Sequence, residues 1–373
     1  MTRFARDNRV LWVEPPRFSL FLLLEWIRKP GKCRNLSQVR HRLFVYRSWY
    51  PLPGAESALR RRVSLIQKVN EWAWLVQVRM VARHLGFAEP ILWLYYTEVS
   101  ERLIGHFGEK LAVCDVFDKY SAFPSNDAWS TRRIKNQESS LLLKSDLVFA
   151  VSQKLCAYCR RFNESVFLVP NAVDLTLWDD ERPKALSSPP PLNLKHPVLG
   201  YVGAINDKVD LKTLLGVSAA YPEASVLLVG PVGVLYSENL ELLSQLEARP
   251  NVFFLGRVPR SELCAHFTSI DIALLPYAPI PHVAYGQPNK LFEYLAAGKP
   301  IVALDTVALE DCADVVLIAH NTEQFVQHIG HLLTEDTAQR VQAGRETARR
   351  NTWDERVARI SEVLDLFLCA RGK

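Results

Sequence analysis

Asn289, Lys290 and Glu293 are the residues of this chain whose types and spacing best suit chemistry, and that chemistry is anion binding. Pro288 suits the first turn of a helix, while Gly298 and Pro300 give a stop signal. Residues three and four apart share a helical face, so the three polar side chains gather near the helix start. A helix N-terminus offers unpaired N–H groups and about half a positive charge. Lys290 adds a full charge, and Glu293 offers an acceptor for hydroxyls one turn further in. That set suits the diphosphate and ribose of a nucleotide. The same spacing also describes a solvated Lys290–Glu293 pair, which stabilises a helix by about 0.2–0.5 kcal/mol.

Such a helix needs a frame. Ile270, Ile272, Ala273, Leu274 and Leu275 form an apolar run of the kind that fills a buried parallel strand; Pro276 closes it, and residues 300–304 read as the next strand. From residue 196 onward the signals alternate. Strands are expected at 196–203, 224–230, 251–255 and 315–319, with helices near 210–221 and 238–248, a short one from 261, then 322–334 and 335–350. This βαβ repetition predicts a parallel sheet with covering helices. The first half is less regular, with strands expected at 9–13, 42–46, 91–96, 111–116, 147–151 and 165–169 and helices at 59–85 and 129–144. The fold class is therefore α/β, in two layers joined near 174–195, where Ser187-Ser188-Pro189-Pro190-Pro191 makes a stiff connector.

Open α/β sheets bind ligands outside the C-terminal ends of their strands. Three expected strand ends in the second half carry glycine: Gly203, Gly230 and Gly256, the last followed by Arg257. A glycine there lets backbone approach phosphate closely, although an ordinary βα turn uses it too. Lys208, five residues beyond Gly203, is either a second phosphate cation or an exposed turn lysine.

The phrase QPNKLFEYLAAGKP at 287–300, with NVFFLGRVP at 251–259 and VPNAVD at 169–174, resembles the donor-binding half of GT-B nucleotide-sugar glycosyltransferases of the group 1, or family-four, type. The resemblance implies two Rossmann-like parallel-sheet domains facing a cleft. It divides the chain into an acceptor-side domain 1–178, a linker 179–195, a donor domain 196–352, and a C-terminal helix 353–373 packing back on the first domain. It implies sugar transfer from a UDP- or GDP-sugar to a saccharide or lipid-linked acceptor in bacterial surface polysaccharide or glycolipid assembly. No cofactor or divalent metal is expected, so protein cations must neutralise the leaving group. The implied donor side comprises Gly203, Lys208, Gly230, Arg257 near the base, Tyr277 toward the nucleotide, Gln287, Asn289, Lys290 and Glu293. Tyr277 alternatively packs as a rim aromatic.

In the first half, residues 111–123 resemble a family segment with paired acids just after a strand. Asp118 would then be a general base deprotonating an acceptor hydroxyl, with Asp115 orienting it; turn-forming or helix-capping aspartates read the same way. Glu98 and Glu101 are further candidates for acceptor hydroxyls, or first-turn acids of a helix. Two departures stand out. Tyr285 occupies the position, eight residues before Glu293, where many members carry a second glutamate. Residues 4–13 look like the family's first helix running into its second strand, so the opening strand and its glycine-containing acceptor loop are expected to be absent, through a late start or the tolerated loss of a sheet edge.

Composition bounds the remaining readings. With 49% apolar and 23% charged residues, the 373-residue chain is long enough for two cores and too apolar to be disordered. Seven scattered cysteines do not make a secreted disulfide framework, so a reducing cytoplasm fits, and Cys156-Ala-Tyr-Cys159 reads as two ordinary helix cysteines. The apolar stretch from Phe18 to Ile27 contains Glu25 and is too short to span a bilayer or act as a signal. Residues 1–180 hold 27 Lys and Arg against 18 Asp and Glu, whereas the rest hold 18 against 22. The basic, aromatic-rich first half suits either an anionic membrane surface at the inner face of the plasma membrane or a solvated face. Nucleic acid is disfavoured because the aromatics form no stacking motif. Two rival functions remain: a degenerate GT-B relative acting as an assembly or membrane partner, and a UDP-N-acetylglucosamine 2-epimerase, whose His-rich donor loop is not found.

Overall fold

The computed structural model describes residues 1–28, 35–53, 64–97, 99–123, 128–178, 193–259, 262–309 and 312–372. The first half runs β1 (Val10–Phe18), α1 (Leu20–Arg28), β2 (Leu36–Arg40), β3 (Leu43–Tyr50), α2 (Ser64–His84), β4 (Ile91–Tyr95), β5 (Leu111–Val116), α3 (Ala128–Lys144), β6 (Leu147–Ala150), α4 (Gln153–Cys159) and β7 (Val166–Leu168). Its strands form two sheets, β1-β3-β2 and the all-parallel β4-β5-β6-β7. β1 and β3 reach past the expected 9–13 and 42–46. Pro15-Pro16 breaks the sequence signal, yet β1 is an edge strand whose register shifts between Glu14 and Arg17, where prolines are tolerated. β2 escaped the reading because it is short, exposed and antiparallel to β3. Among the described residues β1 and β4 each stand at the edge of their own sheet.

The second half runs β8 (Val198–Val202), α5 (Leu211–Ala220), β9 (Ser225–Val229), α6 (Ser237–Glu247), β10 (Val252–Gly256), α7 (Leu263–Thr268), β11 (Ile272–Leu275), α8 (Asn289–Ala296), β12 (Ile301–Leu304), β13 (Val316–Ala319), α9 (Thr322–Thr334), α10 (Ala338–Arg350) and α11 (Trp353–Ala370). Here the alternating pattern predicts the elements within a few residues. The sheet is parallel throughout, in the order β10-β9-β8-β11-β12-β13. Its central strands are buried at every position because both faces carry helices, which is why they read as unbroken apolar runs. The chain leaves β8 toward β9 on one side and returns at β11 on the other, so the order reverses between β8 and β11. A crevice opens at such a switch point.

The two halves are joined twice. Val169 packs with the first core, while Leu175 and Trp178 already pack on the second. The crossing therefore precedes the expected linker, of which residues 179–192 lie outside the described residues. The return crossing runs beside it: the Val173 N–H donates to the Asn351 carbonyl (3.0 Å), and the Trp353 N–H to the Val173 carbonyl (3.2 Å). α11 then lays Ile360 and Leu364 against Leu111, Val113, Leu147 and Phe149 of the first domain, the return that the resemblance implies.

Arg356 anchors this helix from a buried position, its Nε donating to the Pro170 carbonyl at 3.0 Å. Arg356→Met keeps most of the apolar stem but leaves that buried carbonyl without its donor. The expected loss is about 1–3 kcal/mol of unfolding free energy in urea; a change under about 0.5 kcal/mol would mean that the anchor is not needed.

Candidate donor and acceptor site in the interdomain cleft

Two glycines shape the donor wall. Gly203 and Gly230 end β8 and β9 with φ of +153° and +148°, and the Gly203 N–H donates to the Val229 carbonyl at 2.7 Å. A Cβ on Gly230 would strike the backbone carbonyl of Gly203, and one on Gly203 would strike the end of the Lys290 side chain. Lys290 thus crosses directly over the glycine loop, its Nζ 5.7 Å from the Tyr201 ring centroid.

α8 is held in place from below. Leu291, Phe292, Tyr294 and Leu295 are buried, and the Val202 N–H at the end of β8 donates to the Tyr294 hydroxyl at 2.8 Å. Pro288 is the N-cap and no side chain caps the helix; the Leu291 N–H turns back to the Pro288 carbonyl at 3.2 Å, so the first-turn donors without a side-chain cap are those of Asn289 and Lys290. Asn289 is exposed there and Lys290 half-buried.

This helix start opens onto a cleft of about 750 Å³ between the domains, within the range of small-ligand sites. From the second domain it is lined by Lys208, Tyr277, His282, Gln287, Asn289 and Lys290; from the first, by Trp93, Tyr95, Asp115, Phe117 and Asp118. The α8 start with Lys290 and the paired acids, far apart in sequence, thus line one cleft, whereas Gly203 and Gly230 are not among its lining residues. Lys208 bridges the cleft, its Nζ 3.9 Å from the Asp118 carboxylate and 5.4 Å from the Phe123 ring centroid. Burial raises the Asp118 carboxyl above its ordinary range, with Lys208 opposing the rise. Asp115 sits deeper, at the end of β5, where it accepts from the Trp93 indole at 3.2 Å. Burial lifts its pKa to about 6 against that hydrogen bond.

Other candidates lie elsewhere or are engaged. Arg257 follows the edge strand β10 and is exposed; neither it nor Glu293 is among the described residues lining the cleft. Gln287 lines the cleft, but its side-chain oxygen accepts from the Asn171 N–H (2.7 Å) and its carbonyl from the Asn171 amide (2.6 Å), fastening the crossing segment to α8. Tyr277 is buried at the cleft wall, its carbonyl accepting from the Thr306 hydroxyl at 2.8 Å. Glu101 pairs with Lys144 at 3.6 Å, and Glu98 lies outside the described residues.

Two residues at the domain contact carried no sequence signal of that contact. His282 is 3% exposed and stacks on Phe123 with ring centroids 4.5 Å apart. Among the described residues its Nδ1 has no hydrogen-bond partner. Burial, then the charge of Lys208, hold its pKa below the usual histidine value. Tyr285 turns into the first domain, where its hydroxyl accepts from Lys119 at 3.1 Å and its carbonyl from the Ser152 hydroxyl at 2.7 Å. Tyr285 is thus a fastening between the domains. Among the described residues no group of three His, Cys, Asp or Glu side chains is gathered to hold a metal ion.

Comparison with known proteins identifies the frame. Residues 196–335 match the family described as "Glycosyl transferases group 1". The chain superposes on sucrose-phosphate synthase from Thermosynechococcus elongatus with a TM-score of 0.72 at 16% identity, over 98% of this chain and 90% of that one. The fold is GT-B, and residues 196–335 of its second domain are similar to the group 1 glycosyltransferases. Anabaena HepE, solved with UDP, gives a TM-score of 0.62 at 16% identity over 96% of this chain and 99% of its own. TuaH of Bacillus subtilis (strain 168), which by name belongs with teichuronic acid biosynthesis glycosyltransferases, is 32% identical over 171 residues. The match covers 46% of this chain and 41% of TuaH, so the chain spans under half of the length of that relative.

Proposed function

We propose that this protein moves a glycosyl group from a UDP- or GDP-sugar to a hydroxyl of a saccharide or lipid-linked acceptor in surface polysaccharide assembly. The observation that carries the reading is Lys290 lying over Gly203 at an uncapped helix start, across a cleft from Asp118 and Asp115. In the reaction, the bond from the anomeric carbon to the diphosphate oxygen breaks and a bond from the acceptor oxygen forms. Asp118 takes the acceptor proton, and the charge left on the diphosphate falls to Lys290, Lys208 and the first N–H groups of α8. A solved neighbour carrying UDP and a relative named for teichuronic acid biosynthesis support the donor and acceptor classes.

Calorimetry with UDP and GDP tests the donor half directly. Micromolar binding of one of them, unchanged by EDTA, is expected; failure of both to bind at millimolar concentration would defeat the reading. The rival, a non-catalytic relative, draws on Tyr285, whose place in the first domain removes one polar group from the cleft. Product analysis after incubation with the bound nucleotide's sugar and a lipid-linked acceptor separates the two.

Association with a membrane surface belongs to the same proposal. Among the described residues no helix is long and apolar enough to cross a bilayer. α1 nonetheless exposes Leu20, Phe21 and Leu24 by 56%, 67% and 48%, with Arg28 at its end. That pattern fits a helix lying in the headgroup region. Phe21→Glu combined with Leu24→Glu is expected to lower partitioning onto vesicles containing an anionic lipid by roughly tenfold or more in a sedimentation assay. Unchanged partitioning would remove α1 from any membrane contact.

A further inference from the structure

The loop that leaves β5 carries Asp118 to the cleft wall, and the next residue, Lys119, reaches across the domain boundary. Its ammonium lies over two tyrosine rings, 4.5 Å from the centroid of Tyr158 on α4 and 4.4 Å from that of Tyr285 in the second domain. It also donates to the Tyr285 hydroxyl at 3.1 Å. Ring faces attract a cation more strongly where water is kept away. Here Tyr158 is buried, and Lys119 and Tyr285 are half-buried.

Both sides of this clamp are fixed. The Tyr158 hydroxyl donates to the buried Glu138 carboxylate at 3.5 Å, and the other oxygen of that carboxylate accepts from the Ser121 N–H at 3.3 Å, which ties down the Lys119 loop as well. Across the boundary, Ser152, the N-cap of α4, donates through its hydroxyl to the Tyr285 carbonyl at 2.7 Å. Asp118 precedes Lys119 and Gly286 follows Tyr285; both line the cleft, and a Cβ on Gly286 would lie 3.9 Å from the Asp118 carboxylate. From Gly286 the chain runs through Gln287 and Pro288 into α8. Lys119, Tyr158 and Tyr285 are not among the described residues lining the cleft, so they act on a ligand there through those neighbours.

We propose that Lys119 is a positioning residue, whose clamp on Tyr285 sets the Asp118 carboxylate at a fixed distance from the backbone leading to Asn289 and Lys290. The inference rests on Asp118 being the general base of the proposed transfer. Lys208 gives the carboxylate one contact, 3.9 Å long; the clamp, one residue along the chain, adds a second point of hold and with it an orientation. A lysine suits a cleft that opens and closes. Its ammonium is strongly hydrated, so the clamp releases to water when the domains part and re-forms when the two rings exclude that water. Reacting groups misplaced by about 1 Å lose about a hundredfold in rate, which sets the size of the effect.

The test pairs kinetics with small-angle scattering on the full chain. Lys119→Met keeps the stem and removes the charge; it is expected to lower kcat by about ten- to a hundredfold while the calorimetric affinity for UDP or GDP stays within about twofold, the mark of a group felt in the transition state alone. Tyr285→Phe keeps the ring and removes only the hydroxyl, so kcat is expected to fall by about two- to tenfold. Lys119→Arg, which returns a cation to both rings, is expected to recover part of the rate. Lys119→Met combined with Tyr285→Leu is expected to be no slower than the worse single variant, because both remove one clamp. An unchanged kcat in Lys119→Met, losses that multiply in the double variant, or nucleotide affinity falling in step with kcat overturns the proposal. Scattering separates it from the catalytic reading on which it rests. Lys119→Met and Tyr285→Leu are expected to raise the radius of gyration of the free protein, and an unchanged radius overturns the clamp whatever the activity. A raised radius in variants of a parent that transfers no sugar would instead keep the clamp and defeat Asp118 as the base it positions.

Discussion

Replacing Lys290 by alanine lowers kcat/KM for the nucleotide-sugar by about a hundred- to a thousandfold, the range seen when one preorganised donor to a developing anion is removed. The size follows from position. The ammonium reaches over Gly203 into a half-buried site where a charge is worth more than in water, and it joins an uncapped helix start that already favours an anion. UDP or GDP affinity, read by calorimetry, falls with it, because the diphosphate is present before and after transfer. Arginine at 290 restores the charge but not the fit over the Gly203 loop, so recovery is expected to be partial. Wild-type nucleotide affinity in Lys290→Ala would place the diphosphate elsewhere.

The second large effect separates chemistry from binding. Asp118→Asn is expected to lower turnover by about a hundred- to ten-thousandfold, the usual contribution of a general base, with nucleotide affinity nearly unchanged. The pH profile carries the sign. A base works deprotonated, so the rate falls as pH falls through its pKa, and burial raises the carboxyls of both Asp118 and Asp115. With Asp115 at about 6, the acid limb of log kcat/KM lies near pH 6 instead of near 4, and Asp115→Asn shifts it downward. A limb unmoved by that substitution would exclude Asp115 from the reaction; an active Asp118→Asn enzyme would exclude Asp118.

The second domain was legible because its signals are local. Buried parallel strands write themselves as unbroken apolar runs, and caps such as Asp210 ahead of α5 and Asn321 ahead of α9 mark helix starts within a few residues of the contacts they make. Lys290 was legible for the same reason, since a helix start and a lysine lie side by side in the chain. The first domain hid what depends on distance. Nothing near Tyr285 announces Lys119, 166 residues away, and nothing near His282 announces Phe123. Pro15-Pro16 argued against a strand that only an edge position permits. The resemblance supplied the acids at 115 and 118, but their approach to Lys208 is a product of two domains closing on each other.

The paired crossings set how this protein can move. Because the segment at Val173 and the one at Asn351–Trp353 are bonded side by side, with Gln287 and Arg356 both tying the first of them, at Asn171 and Pro170, the lobes share one narrow axle. Motion about an axle is rotation, with little sliding or twisting. Opening of the cleft by such a rotation would break the contacts of Tyr285 with Lys119 and of Lys208 with Asp118.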